Sequence, residues 1–123
     1  MNTFPKAKRQ LEYVAFFNFK IPTQEGVMIV FAAIDAYSQY VFKLGFEQDE
    51  TPQTVIKNIS MLLKSPDFIK HSKNGFTLVL EKYNELNEQI KESFGEMKGQ
   101  VMFDKNFNSH ISKPFLEFTA KKK

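Results

Sequence analysis

Few side chains of this sequence have the types and spacing that chemistry requires. The chain has no cysteine, which excludes a thiol nucleophile, a cysteine zinc site and a disulfide framework. Its two histidines, His71 and His110, lie far apart and form no metal-ligand pattern. Ser72 follows His71 too closely for a proton relay, and neither a Gly-Xaa-Ser-Xaa-Gly elbow nor a glycine-rich phosphate loop occurs. Nucleophilic catalysis and a nucleotide cofactor are therefore not expected.

Positive charge is concentrated at the two ends of the chain. The 17 Lys and Arg residues against 14 Asp and Glu residues give a net charge of +3. Basic ends often contact phosphates, although two solvated tails would give the same pattern. Only Arg9 is an arginine, which does not favour sequence-specific base readout. The candidate nucleic-acid contacts, and so a possible DNA partner, are Lys6, Lys8, Arg9, Lys113, Lys121 and Lys122.

Length and composition predict one folded domain. The chain has 123 residues, of which 42% are apolar, and this is enough for a packed core. No apolar run approaches the roughly 20 residues that a membrane span requires, and no signal peptide is visible, so a cytoplasmic location is expected. We expect a flexible basic arm over residues 1–10, a folded domain over 11–120 and a basic tail over 121–123.

Hydropathy patterns predict three strands, then alternating helices and strands. Thr51 and Pro52 are typical of a helix start, Ser65-Pro66 ends that helix, and Gly95 is typical of a helix end. Strand, helix and strand in alternation predict a parallel part of the sheet, so the expected fold is α/β with a five-stranded mixed sheet. The predicted strands are 13–21, 27–34, 39–46, 76–80 and 100–103, and the predicted helices are 52–64, 83–94 and, in part, 114–120.

Residues 16–46, FFNFKIPTQEGVMIVFAAIDAYSQYVFKLGF, contain an Ile-Asp and Ser element at Ile34, Asp35 and Ser38. This stretch resembles the opening of the catalytic core of retroviral-type integrases and insertion-sequence transposases. The order of elements is also that of the ribonuclease H-like superfamily, and a weaker resemblance extends over about 11–120. The resemblance implies a ribonuclease H-like three-layer fold and a lineage of DNA integration or recombination.

In that family, the resemblance implies, three carboxylates hold two Mg²⁺ ions for phosphodiester transfer. Their positions fall on Asn18, Glu81 and Glu117, with 35 residues between the last two, a spacing typical of the family. Glu81 and Glu117 are then the candidate metal ligands. Asn18 carries no negative charge and cannot bridge two metal ions. Asp35 does not replace it, because in the family this residue closes the second strand and binds no metal.

A second register for the middle acid is open. His71-Ser72-Lys73-Asn74-Gly75 resembles the His-Ser-Asp-Xaa-Gly segment of many insertion-sequence transposases, and in this register the acid is replaced by Lys73. We favour Glu81, because residues 76–80 are the better candidate for the fourth strand.

Three functions remain open. The first is a catalytically inactive integrase-core-like domain that keeps at most nucleic-acid binding or dimerisation. The second is an active Mg²⁺-dependent polynucleotidyl transferase or nuclease, which would need Asp35 or Glu12 to supply the missing carboxylate. The third is a protein-interaction module, possible as a homodimer because integrase cores pair through helix faces. No cofactor is expected unless the second reading holds, in which case it is Mg²⁺.

Overall fold

A five-stranded mixed sheet forms the centre of the molecule, as predicted. The computed structural model describes residues 7–104, and its sheet has the strand order β3-β2-β1-β4-β5. The strands are β1 (Tyr13–Thr23), β2 (Gly26–Asp35), β3 (Val41–Glu47), β4 (Phe76–Leu80) and β5 (Gly99–Phe103). The helices are α1 (Pro52–Lys64), α2 (Pro66–His71) and α3 (Asn87–Ser93), with short 3-10 turns at Ser72–Asn74 and Asn84–Leu86.

The first three strands form an antiparallel meander, as the alternating segments predicted. Strands β1 and β2 pair without interruption from Val14 opposite Asp35 to Thr23 opposite Gly26, which leaves a two-residue turn. Strand β3 pairs antiparallel with β2 and begins at Val41. It was expected to begin at Gln39, but that residue has φ 66° and so turns the chain before the strand.

The second half of the sheet is parallel. Strand β4 pairs in parallel with β1, and β5 pairs in parallel with β4. Helices α1 and α2 connect β3 to β4, which are separated in the sheet by β2 and β1, and α3 is the crossover that the parallel neighbours β4 and β5 need. The predicted order of strands and long helices is therefore confirmed, and it brings the carboxyl ends of β1 and β4 to the same edge.

The helices differ from the prediction in two places. Helix α1 begins at Pro52 behind the Thr51 cap and ends before Ser65-Pro66, as expected, but Pro66 also starts the unpredicted helix α2. Proline is compatible with both outcomes, since it ends one helix and suits the first turn of the next. The helix expected over 83–94 is shorter, because Tyr83 has a left-handed backbone and residues 84–86 form a 3-10 turn. Gly95, at φ 59°, ends it as predicted.

Apolar side chains fill both faces of the sheet. The larger cluster joins one sheet face, including Phe16, Phe31 and Leu78, to residues of α1, α2 and α3. The smaller cluster, on the opposite face, contains Phe17 and Val79 and draws only on strands within residues 7–104. In this part of the chain all three helices thus cover one face. The predicted helix over 114–120, which would supply a third layer, lies outside the described residues.

A buried asparagine links α1 to an irregularity in strand β3. The pairing of β3 with β2 shifts between Val30 and Ala32, which places a bulge beside Gly45. The Asn58 side chain, fully buried on α1, accepts a hydrogen bond from the Gly45 backbone N–H at 2.6 Å. It donates to the Thr54 carbonyl at 2.8 Å and to the Glu47 carboxylate at 3.1 Å. The polar group in the apolar stripe of α1 is therefore fully used in anchoring the bulge.

Candidate functional site

The sheet brings Asn18 next to the segment that follows β4. Phe16 of β1 pairs with Leu80, the last residue of β4, so two further steps along each chain lead to Asn18 and Lys82. Side chains alternate along a strand, so Asn18 is on the Phe16 side, which faces the helices. Ligands of open α/β sheets bind outside the carboxyl ends of strands. This end of β1 and β4 is therefore the candidate site.

Four polar side chains meet there, and we call Asn18, Glu50, Lys82 and Tyr83 the strand-end network. The Asn18 amide nitrogen donates to the Tyr83 hydroxyl oxygen at 2.6 Å. The Tyr83 hydroxyl donates in turn to the Glu50 carboxylate, and the Lys82 ammonium lies 2.8 Å from the same carboxylate oxygen. The Lys82 ammonium also lies 5.3 Å from the centre of the Tyr83 ring, within cation–π range.

The directions of these hydrogen bonds fix the role of Asn18. The Tyr83 hydroxyl donates its hydrogen bond to Glu50, so the Tyr83 oxygen can only accept a hydrogen bond from its other neighbour. Asn18 satisfies it with an amide N–H, whereas an ionised aspartate at the same place has no proton to give. The asparagine that departs from the family's acid is thus the residue type that this network requires.

Tyr83 holds its position at a cost in backbone energy. Its φ of 81° and ψ of 32° are left-handed, a conformation that is rare for a bulky side chain. Such strain costs on the order of 1–3 kcal/mol and persists where the surrounding contacts fix it. Here those contacts are the hydrogen bonds to Asn18 and Glu50 and the packing of the Tyr83 ring against the larger apolar cluster.

The network keeps Glu50 ionised and Tyr83 neutral. Burial alone would raise the pKa of Glu50, but hydrogen bonds from Lys82 and Tyr83, the Lys82 charge and Asn18 together outweigh it, so that pKa lies below its ordinary value. Burial, and then the hydrogen bond and charge of Glu50, raise the pKa of Tyr83. The strand-end network therefore combines one carboxylate, one ammonium and two neutral groups. This set suits neither a general base nor an activated nucleophile at neutral pH.

The described residues do not fit the pair of Mg²⁺ ions that the family resemblance implies. No cluster of three or more His, Asp or Glu side chains able to hold a metal occurs within residues 7–104. The cavity beside Asn18, lined by Phe16, Phe17 and residues 81–83, measures about 40 Å³. Mg²⁺ usually keeps several waters and demands near-octahedral geometry, so a cavity of this size has little room for two hydrated ions. The ammonium at this place also repels a divalent cation.

Of the predicted site residues, the structure brings Asn18 and Glu81 together. Both line the same small cavity, with Glu81 directly after β4. Lys73, the alternative position for the middle acid, lies in the 3-10 turn before β4 and thus at the opposite end of that strand. Glu117 lies outside the described residues. The assignment of Glu81 and Glu117 as metal ligands stays a prediction.

The acids considered as substitutes lie at the far end of β1. Asp35 pairs with Val14, four residues before Asn18, and is almost completely buried. Its carboxylate accepts hydrogen bonds from the Leu11 backbone N–H at 3.0 Å and from the Ser38 hydroxyl at 2.7 Å, so it holds the turn between β2 and β3. Glu12 precedes β1 and accepts from the Lys8 backbone N–H. Neither reaches the strand-end network.

Two of the predicted nucleic-acid contacts fall within the described residues. The Arg9 guanidinium donates to the carbonyls of Gly75 at 3.0 Å and of Asn74 at 3.1 Å, which ties this arm to the turn before β4. Lys8 is exposed. Both assignments stay predictions, and Arg9 would have to share its donors with a phosphate. The remaining candidates, Lys6, Lys113, Lys121 and Lys122, lie outside the described residues.

Sequence reasoning missed Glu50, Lys82 and Tyr83 as members of the site. No motif of the sequence singles out Glu50, and its partner Lys82 is 32 positions away in the sequence. Tyr83 was predicted to begin the helix over 83–94, but its backbone is not helical. The available signal was Lys82 itself, a cation directly after the expected acid Glu81.

Comparisons with known proteins bear on the fold. No protein-family model matches the chain, and no curated protein matches it. Among solved structures, it is similar to a chain of the cryo-EM structure of the simian T-cell lymphotropic virus intasome in complex with the PP2A regulatory subunit B56 gamma, at a TM-score of 0.68 and 8% identity. The match covers 96% of this chain and 40% of that chain. Within residues 7–104, no helix is long and apolar enough to cross a membrane. At this identity the likeness is one of fold: the chain shares the architecture of a component of a retroviral intasome complex.

Proposed function

We propose that this protein is an integrase-core-like domain without metal-dependent catalysis, which keeps a binding or assembly role in a DNA recombination lineage. The observation that carries the proposal is the strand-end network. At the place where the family would hold divalent ions between acids, Asn18, Tyr83, Glu50 and Lys82 are joined to one another. The mixed sheet and the likeness to a chain of an intasome complex support the ribonuclease H-like lineage.

The charges of the strand-end network support the proposed absence of catalysis. Two-metal phosphoryl transfer requires carboxylates that hold both ions and stabilise the entering and leaving oxygens. Within the described residues this corner offers Glu81 and Glu50, and the Glu50 carboxylate is engaged by Lys82 and Tyr83. A water activated by two metals therefore has no complete ligand set among residues 7–104.

A cleavage and strand-transfer assay tests this proposal. The natural protein is incubated with branched and linear DNA in Mg²⁺ or Mn²⁺, beside a Glu81→Gln variant as the matched control. We expect no metal-dependent product above the level of the variant. Metal-dependent cleavage that the Glu81→Gln change abolishes would contradict the proposal and establish an active enzyme.

The retained role is tested by binding. DNA contacts through the basic ends release counterions, so affinity for duplex DNA should fall steeply with salt and should fall further when Lys121 and Lys122 are replaced by Gln. The second candidate role is self-association, which exposed apolar side chains on β3 and α1 favour: Phe46 is 63% exposed and Met61 is 41% exposed. A dimer in analytical ultracentrifugation that Phe46→Ser dissociates, without salt-dependent DNA binding, would support self-association instead.

A further inference from the structure

The strand-end network contains its own cation. The Lys82 ammonium lies 2.8 Å from the Glu50 carboxylate, and Glu50 also receives the Tyr83 hydroxyl proton on the same oxygen. The Lys82 side chain is 53% exposed, whereas that of Glu50 is 23% exposed. The Lys82 ammonium therefore reaches the less exposed Glu50 carboxylate from the solvent side, as a metal ion would.

Lys82 also lies beside the strand ends, where a metal ion bound at this site would lie. The parallel pairing of β1 with β4 ends at Phe16 and Leu80, two residues before Asn18 and Lys82 respectively. Lys82, Asn18 and Glu81 line one cavity of about 40 Å³. A divalent ion placed among the oxygens of this corner would therefore lie within a few ångströms of an ammonium, and like charges at such distances repel strongly in a partly buried site.

We propose that Lys82 is the resident cation of this corner, whose ammonium takes the place of a divalent ion and keeps the corner closed to metals. This inference rests on the proposed absence of catalysis and deepens it. The consequence is specific: restoring a carboxylate at position 18 does not by itself create a metal site, because the ammonium stays in place. Metal binding requires that the charge at position 82 be removed as well.

The two substitutions remove different obstacles to metal binding. Asn18→Asp supplies an oxygen ligand with a negative charge, which divalent cations of this type prefer. Lys82→Met keeps most of the side-chain length but removes the ammonium, so Glu50 loses its counter-charge and becomes available. In the double variant, carboxylates at positions 18 and 50 lie on either side of the Tyr83 hydroxyl, and Glu81 lines the same small cavity as position 18. Such a set can hold one divalent ion.

The experiment is a Mn²⁺ titration, followed by electron paramagnetic resonance of the free ion, on the natural protein, the two single variants and the double variant. We expect the double variant to bind one Mn²⁺ at least tenfold more tightly than any of the other three. The matched control is Asn18→Asp combined with Lys73→Met, because Lys73 is an exposed lysine at the opposite end of β4. This control should behave like Asn18→Asp alone.

Three results would overturn the inference: Asn18→Asp alone binding as tightly as the double variant, the Lys73 control matching the double variant, or the double variant gaining no affinity. Circular dichroism establishes that each variant is folded. If Lys82→Met prevents folding, Lys82→Gln replaces it with the same expectations. Failure here is distinct from failure of the proposed function, since a natural protein that cleaves no DNA can still gain a metal site from Asn18→Asp alone.

Discussion

Asn18→Asp should destabilise the protein, although in the integrase family an aspartate occupies the corresponding place. The amide N–H of Asn18 is the donor that the Tyr83 oxygen requires, and the substitution removes it. It also introduces a second carboxylate next to that of Glu50, with the Tyr83 hydroxyl between the two. One phenol proton then serves two acceptors.

The magnitude follows from two contributions. Loss of the hydrogen bond costs about 0.5–1.5 kcal/mol. Two unit charges about 4 Å apart repel by about 4 kcal/mol at an effective dielectric constant near 20, before compensation. The Lys82 ammonium, 2.8 Å from Glu50, offsets part of this repulsion. We therefore expect a loss of about 2–3 kcal/mol in the free energy of unfolding near neutral pH.

Urea unfolding followed by circular dichroism measures this change, since the protein has no tryptophan for fluorescence. A double-mutant cycle with Glu50→Gln isolates the electrostatic part. Glutamine still accepts the Tyr83 proton but carries no charge, so the cost of Asn18→Asp should fall to about 1 kcal/mol in that background. Asn84→Asp, at an exposed position, is the matched control and should change stability by less than about 0.5 kcal/mol. An equal cost of Asn18→Asp in both backgrounds, or no cost at all, would refute the reasoning.

Three further predictions concern single contacts. Asn58→Ala should cost about 2–3 kcal/mol in urea unfolding, because the Gly45 N–H loses its buried acceptor; a change below about 0.5 kcal/mol would show that the bulge is not anchored there. Gly99→Ala should lower the free energy of unfolding by about 1–3 kcal/mol, and with it the melting temperature, since a Cβ there would lie 2.5 Å from the Phe76 ring. An unchanged melting temperature would contradict this contact. In an alkaline titration followed by phenolate absorbance, Tyr83 should stay protonated above the ordinary tyrosine pKa of about 10, so the free energy of unfolding should decline as pH rises beyond that value. Tyr83→Phe should remove this late-titrating group. An unchanged titration in the variant would place Tyr83 outside the network.

A second pH dependence has the opposite sign. The pKa of Glu50 is lower in the folded protein than its ordinary value, so the ionised carboxylate stabilises the fold above that ordinary value. As the pH falls below it and through the lowered folded value, Glu50 is protonated and the contribution is lost. Glu50→Gln should therefore flatten the acid side of the stability profile measured by urea unfolding. A natural protein and variant with parallel acid profiles would contradict the assignment.

The elements that depend on local pattern could be predicted from the sequence. The apolar run that became β2 and the Thr51-Pro52 start of α1 carry strong local signals, and both were placed within one or two residues. A parallel part of the sheet followed from the alternation of helix and strand, whereas the pairing of β4 with β1 was not specified by that pattern. Strand β2 and the start of α1 depend on residues close together in the sequence, so a single sequence was enough to predict them.

The site depended on contacts that the sequence does not display. Tyr83 matches the period of the helix that follows it, but its long-range bonds to Asn18 and Glu50 hold it in a left-handed conformation instead. Lys82 and Glu50 meet only because the loop before α1 lies over the end of β4. The sequence could indicate that the first acid is missing, whereas it could not indicate what occupies its surroundings.

The most direct test of the account is a crystal structure of the natural protein grown or soaked in MnCl₂, with data collected for the anomalous signal of manganese. The account predicts no anomalous peak between Asn18 and Glu81, and a Lys82 ammonium within hydrogen-bond distance of the Glu50 carboxylate, as here. A manganese peak at this strand end, coordinated by Glu81 or Glu50 with Lys82 displaced, would contradict it and favour a metal-dependent activity instead.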